Sequence, residues 1–583
     1  MRHGLLHPKV WLGGTFLALL LLGGAALYFR PRGGGGEPRE ADPWFEDVTD
    51  RVGVDFVHDA GDLSKWWLPQ INGSGVAVFD FDGDGLPDLY FLNFGGPGSG
   101  KTNRLYKNVT RDGVLKFKDV TAGSGLGIDG YNTGVIVGDV NNDGLPDVVV
   151  TQYGGVRLFL NQGNGTFKDV TEQSGLKNPL WAASANLFDF DRDGFLDLVV
   201  VNYLVDDPTH VCLNQKGERT YCGPLTFPGT VTKLFRNVGR DGKGVRFEDV
   251  TIKAGLASKT GTGLGVYCAD FTGDGWPDIF IANDAKPNHL WVNQKDGTFK
   301  EEAYLRGIAV PENSLPQAGM GVAVGDVDGD GLLDVYVTHL ARETNTLWKQ
   351  GPERGTFADR TGRCGLLGTD WRGTGWGTLL ADFDQDGWPD IAIVNGAVNQ
   401  GTATPNPALG PHFQQFSERN QLFRNLGGGT FGDVSERNPP FCGTPNVARG
   451  LAAGDLDGDG ALDLVITTIN DRARVFRNVA RNRGHWLLVR ALDPRLKRDA
   501  YGAEVVVEAG GRKLLRVINP GAGFQSSSDP RAHFGLGAAD RYDAVHVLWP
   551  DGLAETFPSG PADRPLTLRR GEGTPRSRPP VER

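Results

Sequence analysis

A nine-residue acidic loop that recurs seven times constrains this chain more than any other feature. It reads DFDGDGLPD from Asp80, DVNNDGLPD from Asp139, DFDRDGFLD from Asp189, DFTGDGWPD from Asp270, DVDGDGLLD from Asp326, DFDQDGWPD from Asp382 and DLDGDGALD from Asp455. The starts lie 59, 50, 81, 56, 56 and 73 residues apart, and self-similarity at such intervals marks an array of like units. Each loop follows a short apolar or Gly-rich run (GVAVF, TGVIVG, LAAG) and precedes a β-branched one (LYFLN, VVVTQ, IAIVN), which is how the two strands of a hairpin read. No segment long enough for a crossover helix lies between them. Gly makes up 85 of 583 residues and Met only 2, and sustained helical spacing is missing, so a helix bundle is excluded.

Two further segments mark each unit. An aromatic strand ending near Asn occurs at 105–108, 158–161, 234–237, 290–293, 347–350, 422–425 and 475–478. A Phe-acidic segment occurs as FEDVT (45–49), FKDVT (117–121 and 167–171), FEDVT (247–251), FKEEA (299–303), FADRT (357–361) and FGDVS (431–435). The counts agree but the phase does not: the first Phe-acidic segment precedes every loop, and the last aromatic strand has none after it. An open array would leave both ends as unpaired strand edges, whereas a ring lets residues 45–49 complete the last unit. The expected fold is therefore all-β, a seven-bladed β-propeller over 44–482 sealed by its N-terminal strand.

The loop composition predicts metal binding. Oxygen side chains stand at positions one, three, five and nine. They are Asp80, Asp82, Asp84 and Asp88; Asp139, Asn141, Asp143 and Asp147; Asp189, Asp191, Asp193 and Asp197; Asp270, Thr272, Asp274 and Asp278. The remaining loops supply Asp326, Asp328, Asp330 and Asp334; Asp382, Asp384, Asp386 and Asp390; Asp455, Asp457, Asp459 and Asp463. Position six is always Gly. Position seven (Leu86, Leu145, Phe195, Trp276, Leu332, Trp388 and Ala461) has only a backbone carbonyl to offer. Closely spaced hard oxygens around a sharp Gly turn suit Ca2+ better than Mg2+, with up to seven ions and affinities of roughly 10⁻⁴ to 10⁻³ M. The formal net charge of −11 agrees with cation binding and disfavours a nucleic-acid partner. Prolines at position eight (Pro87, Pro146, Pro277 and Pro389) fix an extended lead into the next strand.

Outside the repeat, Val10–Phe29 is an uncharged run of bilayer-spanning length after a basic segment (1–9). It is read as a transmembrane signal anchor, with a cleaved signal peptide as the other option, followed by a flexible linker at 30–43. Cys212 and Cys222 are expected to bridge in an oxidising compartment; Cys268 reads as core, and Cys364 and Cys442 are left open. The stretch 95–102 (GGPGSGKT) satisfies a phosphate-loop pattern, but an aromatic strand follows it where a helix would have to start, so no nucleotide partner is expected. His289 and His339 read as structural. Trp276, Trp371, Trp376 and Trp388 are expected to pack between units, with glycan stacking by an exposed subset as the alternative.

The repeats resemble the FG-GAP or VCBS-type repeats of integrin α-subunit propellers, through the shared DxDxDGxxD loop. Residues 483–572 resemble the ASPIC/UnbV domain, through NRGHWL (482–487), YGAEVVVEAGG (501–511), GAGFQSSSDPRAHFGLG (521–537) and VLWPDG (548–552). Read without that resemblance, the same region is a small β module; Gly521–Asp529 in it is taken as a long turn, a binding loop being the alternative, and 573–583 as a disordered tail. Together the two parts are similar to the cartilage acidic protein family, bacterial type. The resemblance implies a calcium-binding extracytoplasmic protein without established enzyme activity. The expected function is a membrane-anchored or secreted scaffold that binds an extracellular protein or glycan in an adhesion-type role, with no catalytic residues. A propeller-based polysaccharide lyase or hydrolase and an accessory factor in a biosynthetic pathway are the other readings.

Overall fold

The computed structural model describes residues 43–240, 244–401 and 404–577. The expected anchor at 10–29, the segments around it up to residue 42, and positions 578–583 lie outside the described residues. Among the described residues no helix is long and apolar enough to cross a membrane.

Each acidic loop is the turn of a hairpin, because the runs on either side of it pair antiparallel. In the first sheet Val76–Phe79 pairs with Asp88–Phe91, which pairs with Arg104–Asn108, which pairs with Phe117–Asp119. The register sets Phe79 opposite Asp88, so position nine of the loop is the first residue of the second strand. The same four-strand order recurs in sheets starting at Asn132, Ala182, Gly263, Val322 and Gly375. A last sheet starts at Ala448 and is completed by the beginning of the chain, with Phe45 opposite Asn478. First strands of consecutive sheets neighbour one another all the way round, and the last touches the first. The fold is thus all-β and propeller-like, with the two ends of the array paired as the repeat phase requires.

Both faces of every sheet are covered by neighbours, which is why second strands such as DVVVTQ are apolar without alternation: Val148, Val149 and Val150 are all fully buried. The FxDVT segments cap this packing. Asp119 accepts the Thr121 N–H at 2.8 Å, and the Thr121 hydroxyl accepts the Leu105 N–H at 2.9 Å. In the divergent FKEEA segment, Glu301 takes both roles, accepting from Ala303 (2.7 Å) and Leu290 (3.4 Å).

Residues 485–575 build two further sheets. One contains His485–Asp493, Arg498–Asp499, Ala532–Gly537 and Arg564–Arg569; the other contains Glu504–Ala509, Arg512–Val517, Arg541–Leu548, Ala554–Pro561 and Thr574–Pro575. The last strand corrects the expected tail: Thr574 and Pro575 pair with Thr556 and Glu555, because the edge strand there has free backbone groups. Cys212 and Cys222 are bridged, and Cys268, Cys364 and Cys442 are free and buried.

Gly521–Asp529 is also corrected, being neither a surface turn nor an open binding loop. It leaves the small module and runs among the first strands of the ring, whose axial edges offer unpaired N–H and C=O groups. Gly523 and Val322 exchange bonds of 2.7 and 3.0 Å; Ser527 accepts from Val78 at 2.9 Å and donates to Val76 at 3.0 Å. The Gln525 carbonyl accepts from Val135 at 3.0 Å, and Asp529 N–H donates to the Ala453 carbonyl at 3.0 Å. Small residues on both sides permit the approach: a Cβ at Gly75 would lie 1.8 Å from the Gln525 carbonyl oxygen. Phe524 packs 4.9 Å from Trp376. Arg449 stacks on Trp376 at 4.0 Å and donates to the carbonyls of Ile71 and Ala448, each at 2.7 Å.

Two predictions follow from this packing. Phe45 is fully buried against Phe383 (5.4 Å) and Phe441 (5.8 Å), so Phe45→Ala is expected to cost about 3–5 kcal/mol in urea denaturation. Truncating the exposed Ile252 should leave the midpoint unmoved. Burial raises the Glu418 carboxyl to about 7. A raised folded-state value stabilises below the unfolded one, and that contribution is lost as pH climbs through the folded value. Glu418→Gln and the parent should therefore melt alike near pH 4, and the variant should melt higher at pH 8.

Candidate metal centre in the acidic loops

Position one organises its own loop. Asp80 Oδ1 accepts from Gly83 N–H and Oδ2 from Gly85 N–H, both at 2.8 Å. The bond to the position-six glycine is kept in the other loops: Asp139 to Gly144 (2.7 Å), Asp189 to Gly194 (3.0 Å), Asp270 to Gly275 (2.6 Å), Asp326 to Gly331 (3.0 Å), Asp382 to Gly387 (2.7 Å) and Asp455 to Gly460 (3.0 Å). These glycines turn left-handed, Gly85 at φ 90° and Gly144 at φ 98°, which a side chain would resist. Position five closes a second turn by accepting the N–H of position seven, as from Asp84 to Leu86 (3.0 Å) and from Asp274 to Trp276 (2.9 Å). The apolar position seven, expected to offer its carbonyl, therefore has its N–H engaged as well.

Position nine does more than the sequence indicates. Asp88 is fully buried; its Oδ2 accepts Phe81 N–H at 3.0 Å and its Oδ1 accepts Asn108 N–H at 2.7 Å. It thus ties the loop's second residue to the end of the third strand. The tie to the third strand recurs at Asp147 (Asn161), Asp197 (Asn237), Asp278 (Asn293), Asp334 (Gln350), Asp390 (Asn425) and Asp463 (Asn478). Carboxylate oxygens keep lone pairs beyond these bonds. Positions one, three and nine bring oxygens within 4.8 Å of one another in the clusters Asp80–Asp82–Asp88, Asp189–Asp191–Asp197, Asp326–Asp328–Asp334 and Asp382–Asp384–Asp390. Position five is not among those clusters. Among the described residues, the buried Oδ1 atoms of Asp189, Asp328 and Asp384 and the Thr272 hydroxyl have no hydrogen-bond partner, whereas Asn141 Oδ1 accepts from Asp143 N–H at 2.9 Å. Burial, the largest cause, raises Asp88 to about 8 and Asp382 and Asp455 to about 7. Such a donor set fits a hard cation, whose arrival would displace protons.

Basic side chains also reach these loops, and the sequence analysis did not assign them. Lys107 pairs with Asp82 and with Asp84 (3.1 Å), Arg236 with Asp191 and Asp193 (2.9 Å), Arg424 with Asp384 (2.7 Å) and Asp386 (3.0 Å), and Arg477 with Asp457 (2.5 Å). Lys349 pairs with Asp328. The signal lay in the aromatic strands, where the residue before Asn or Gln is Lys or Arg in LYKN, LFRN, LWKQ and VFRN. The small module adds arginines from outside the ring. Arg498 donates to Asn142 Oδ1 (2.9 Å) and the Gly194 carbonyl (3.0 Å); Arg512 donates to the Asp386 (2.8 Å) and Gly387 (2.9 Å) carbonyls and stacks on Trp388 at 3.9 Å. The four tryptophans singled out in the sequence each carry an arginine: Trp276 with Arg192, Trp371 with Arg419, Trp376 with Arg449 and Trp388 with Arg512.

The asparagine that ends the third strand joins neighbouring sheets. Asn161 Nδ2 donates to Pro146 O (3.2 Å) in its own loop and to Phe81 O (2.8 Å) in the preceding one. Asn237 reaches Val140, Asn293 reaches Phe190, Asn425 reaches Val327 and Asn478 reaches Phe383, while Asn108 closes the ring by reaching Leu456 (2.8 Å). In the fifth sheet Gln350 stands instead and donates to its own loop at Leu333 O (3.0 Å).

Two known families match this chain. The FG-GAP-like repeat matches residues 80–150, 139–200, 270–337 and 413–466, and the ASPIC and UnbV family matches 493–575. The chain thus carries FG-GAP-like repeats followed by an ASPIC/UnbV domain. It is similar to cartilage acidic protein 1 of Homo sapiens, 31% identical over 351 residues that cover 57% of this chain and 48% of that protein. For the Mus musculus protein the figures are 31% over 322 residues, 52% and 44%. For Xenopus tropicalis they are 26% over 547 residues, 89% and 75%. The chain spans about half the length of the human and mouse relatives. Among solved structures, an Agrocybe aegerita lectin that recognises non-reducing terminal N-acetylglucosamine aligns at TM-score 0.38 and 18% identity, covering 67% of this chain and 88% of the lectin. BBS1N in complex with ARL6DN aligns at 0.39 and 9%, covering 76% and 99%.

The two classes of aspartate are expected to separate on substitution. Asp390→Ala strands buried N–H groups of Phe383 and Asn425 and should cost about 3 kcal/mol or more in metal-free denaturant unfolding. The part-exposed Asp386→Ala should cost less than about 1 kcal/mol under the same conditions.

Proposed function

We propose that this chain of FG-GAP-like repeats with an ASPIC/UnbV domain is a seven-bladed, calcium-stabilised extracytoplasmic scaffold that binds a protein or glycan partner and performs no catalysis. The carrying observation is the convergence of three carboxylates per cluster within 4.8 Å, with buried oxygens of Asp189, Asp328 and Asp384 lacking a partner. Buried, unpartnered anionic oxygens are costly unless a cation meets them. Positions one, three and nine would hold the ion, with position five turning in from its basic partner. Calcium would supply positive charge and nothing redox or acid–base. The consequence for function is rigidity: loops locked in one geometry present a fixed surface on a closed ring. The relation to cartilage acidic protein 1 favours an extracellular setting, as does the Cys212–Cys222 bridge. Residues 10–29 would serve as the anchor.

Thermal melting with a calcium-specific chelator and with millimolar calcium tests this reading. Calcium should raise the melting temperature, each site adding roughly 0.4–1.4 kcal/mol at a one- to tenfold excess over its Kd. Metal counting should lose one ion in Asp328→Ala. Identical melting in chelator and calcium, or fewer than about three bound ions, overturns it.

A further inference from the structure

The two longest intervals of the repeat, 81 residues from Asp189 to Asp270 and 73 from Asp382 to Asp455, hold inserts that the ring itself does not require. Both join a second strand to a third, after Asn202 in the third sheet and after Asn395 in the sixth. Connections alternate ends in an antiparallel sheet, so these inserts stand on the face opposite the acidic loops. They meet there: Asn214 Nδ2 donates to Gln400 Oε1 at 2.9 Å, and Tyr221 Oη lies 2.9 Å from His412 Nε2. Residues of both inserts, Tyr221 and Val398 among them, help to line a cavity of about 410 Å³, room for a small organic molecule.

The charged residues of its lining are Asp284, Arg342 and Glu343, so carboxylates outnumber the cation. Arg342 is exposed and forms no ion pair among the described residues, and water and salt screen its charge. Asp284 is only 9% exposed. Each carboxylate is held by one oxygen: Asp284 Oδ2 accepts the Tyr203 hydroxyl, and Glu343 Oε2 accepts the Ala318 N–H at 2.9 Å. The Asp284 backbone is fixed as well, its N–H donating to the Thr262 carbonyl at 2.9 Å. Among the described residues, Asp284 Oδ1 and Glu343 Oε1 have no hydrogen-bond partner. Burial, the largest cause, raises the Asp284 carboxyl to about 7, and neighbouring Glu343 adds to the rise. A buried carboxylate is costly unless a cation meets it. The wall around the two carboxylates is apolar, formed by Leu68, Met320, Leu340 and Val398, which suits a cation that carries a hydrocarbon body.

We propose that this cavity binds a small primary aliphatic amine in its ammonium form, with N–H groups donating to Asp284 Oδ1 and Glu343 Oε1 and the alkyl chain lying against Leu68, Met320, Leu340 and Val398. An ammonium group brings several N–H donors and one positive charge, and charge-assisted bonds to carboxylates are the strong ones. The inference goes beyond the scaffold reading and does not depend on calcium.

The test uses the whole protein at pH 8 in saturating calcium, so that the acidic loops are occupied. Butylamine is titrated by calorimetry beside butanol, which has the chain without the charge, and tetramethylammonium, which has the charge without N–H donors. Butylammonium should bind with a Kd of about 1 mM or below, and both comparison compounds at least about tenfold more weakly. Asp284→Asn, which keeps the size of the side chain, should weaken butylammonium about tenfold, and Glu343→Gln should act in the same direction. Hydrogen exchange on the unsubstituted protein should show amine-dependent protection at 221–226 and 340–343 and none in the acidic loops; this footprint decides the matter if either variant fails to fold. No binding of butylammonium, equal binding of butanol or tetramethylammonium, affinity unchanged in both variants, or protection in the acidic loops each overturn the assignment. A protein that melts higher in calcium yet binds no amine would lose this site and keep the scaffold reading; one that ignores calcium yet shows the footprint would do the reverse.

Discussion

The ring depends on a relay between one aspartate and one asparagine. The position-nine aspartate is buried where the second strand begins, and it takes two backbone N–H groups that no strand partner reaches. One of them belongs to the asparagine at the end of the third strand, which is thereby held in place to donate its own amide to two carbonyls. One carbonyl is in the same unit and the other in the preceding unit. Within a sheet the backbone ladder suffices, but between sheets non-directional side-chain packing is joined only by scattered hydrogen bonds, such as Gly75 N–H to the Thr133 carbonyl at 2.8 Å. The relay adds direction at every seam except the one between the fourth and fifth sheets, and at Asn108 and Leu456 it fastens the end of the array to its start. Where Gln350 replaces asparagine, the amide stays with its own loop.

This arrangement places negative charge in a ring on one face, and the chain answers it twice from within. Lysines and arginines on the third strands lean into the loops, and the ASPIC/UnbV domain lays further arginines over them. Both are side chains on flexible stems, able to move aside for a small divalent ion that satisfies several oxygens at once. The same domain sends Gly521–Asp529 among the first strands, so the module and the ring share backbone hydrogen bonds as well as charge. The acidic-loop face is consequently engaged by the molecule itself, and the inserts lie on the opposite face.

Several elements were legible in the sequence for direct physical reasons. The hairpins were readable because Asp-rich turns with an obligatory glycine punctuate apolar runs, and the joining of Phe45 to the last sheet was readable from the phase of the segments. The Cys212–Cys222 bridge followed from proximity in one insert. Position nine was legible only as another acidic residue, since nothing in the string distinguishes an aspartate that faces a cation from one that staples two strands. The asparagine was visible as a marker without a role, because its partners, such as Phe81 and Val140, act through backbone carbonyls that carry no sequence signature. The short pairing of Thr574 and Pro575 was missed for the same reason.

By itself the sequence determined the repeating unit, its strand order, the acidic turns and the closure of the ring, because these rest on local periodicity, on glycine's access to left-handed backbone and on edges that must pair. Only the tertiary structure decided where Gly521–Asp529 runs, which arginines face which loops, and how inserts separated by almost two hundred residues come to wall one cavity. Those outcomes depend on backbone groups and side chains from distant units meeting around a common axis, and no local pattern encodes which unit will lie opposite which.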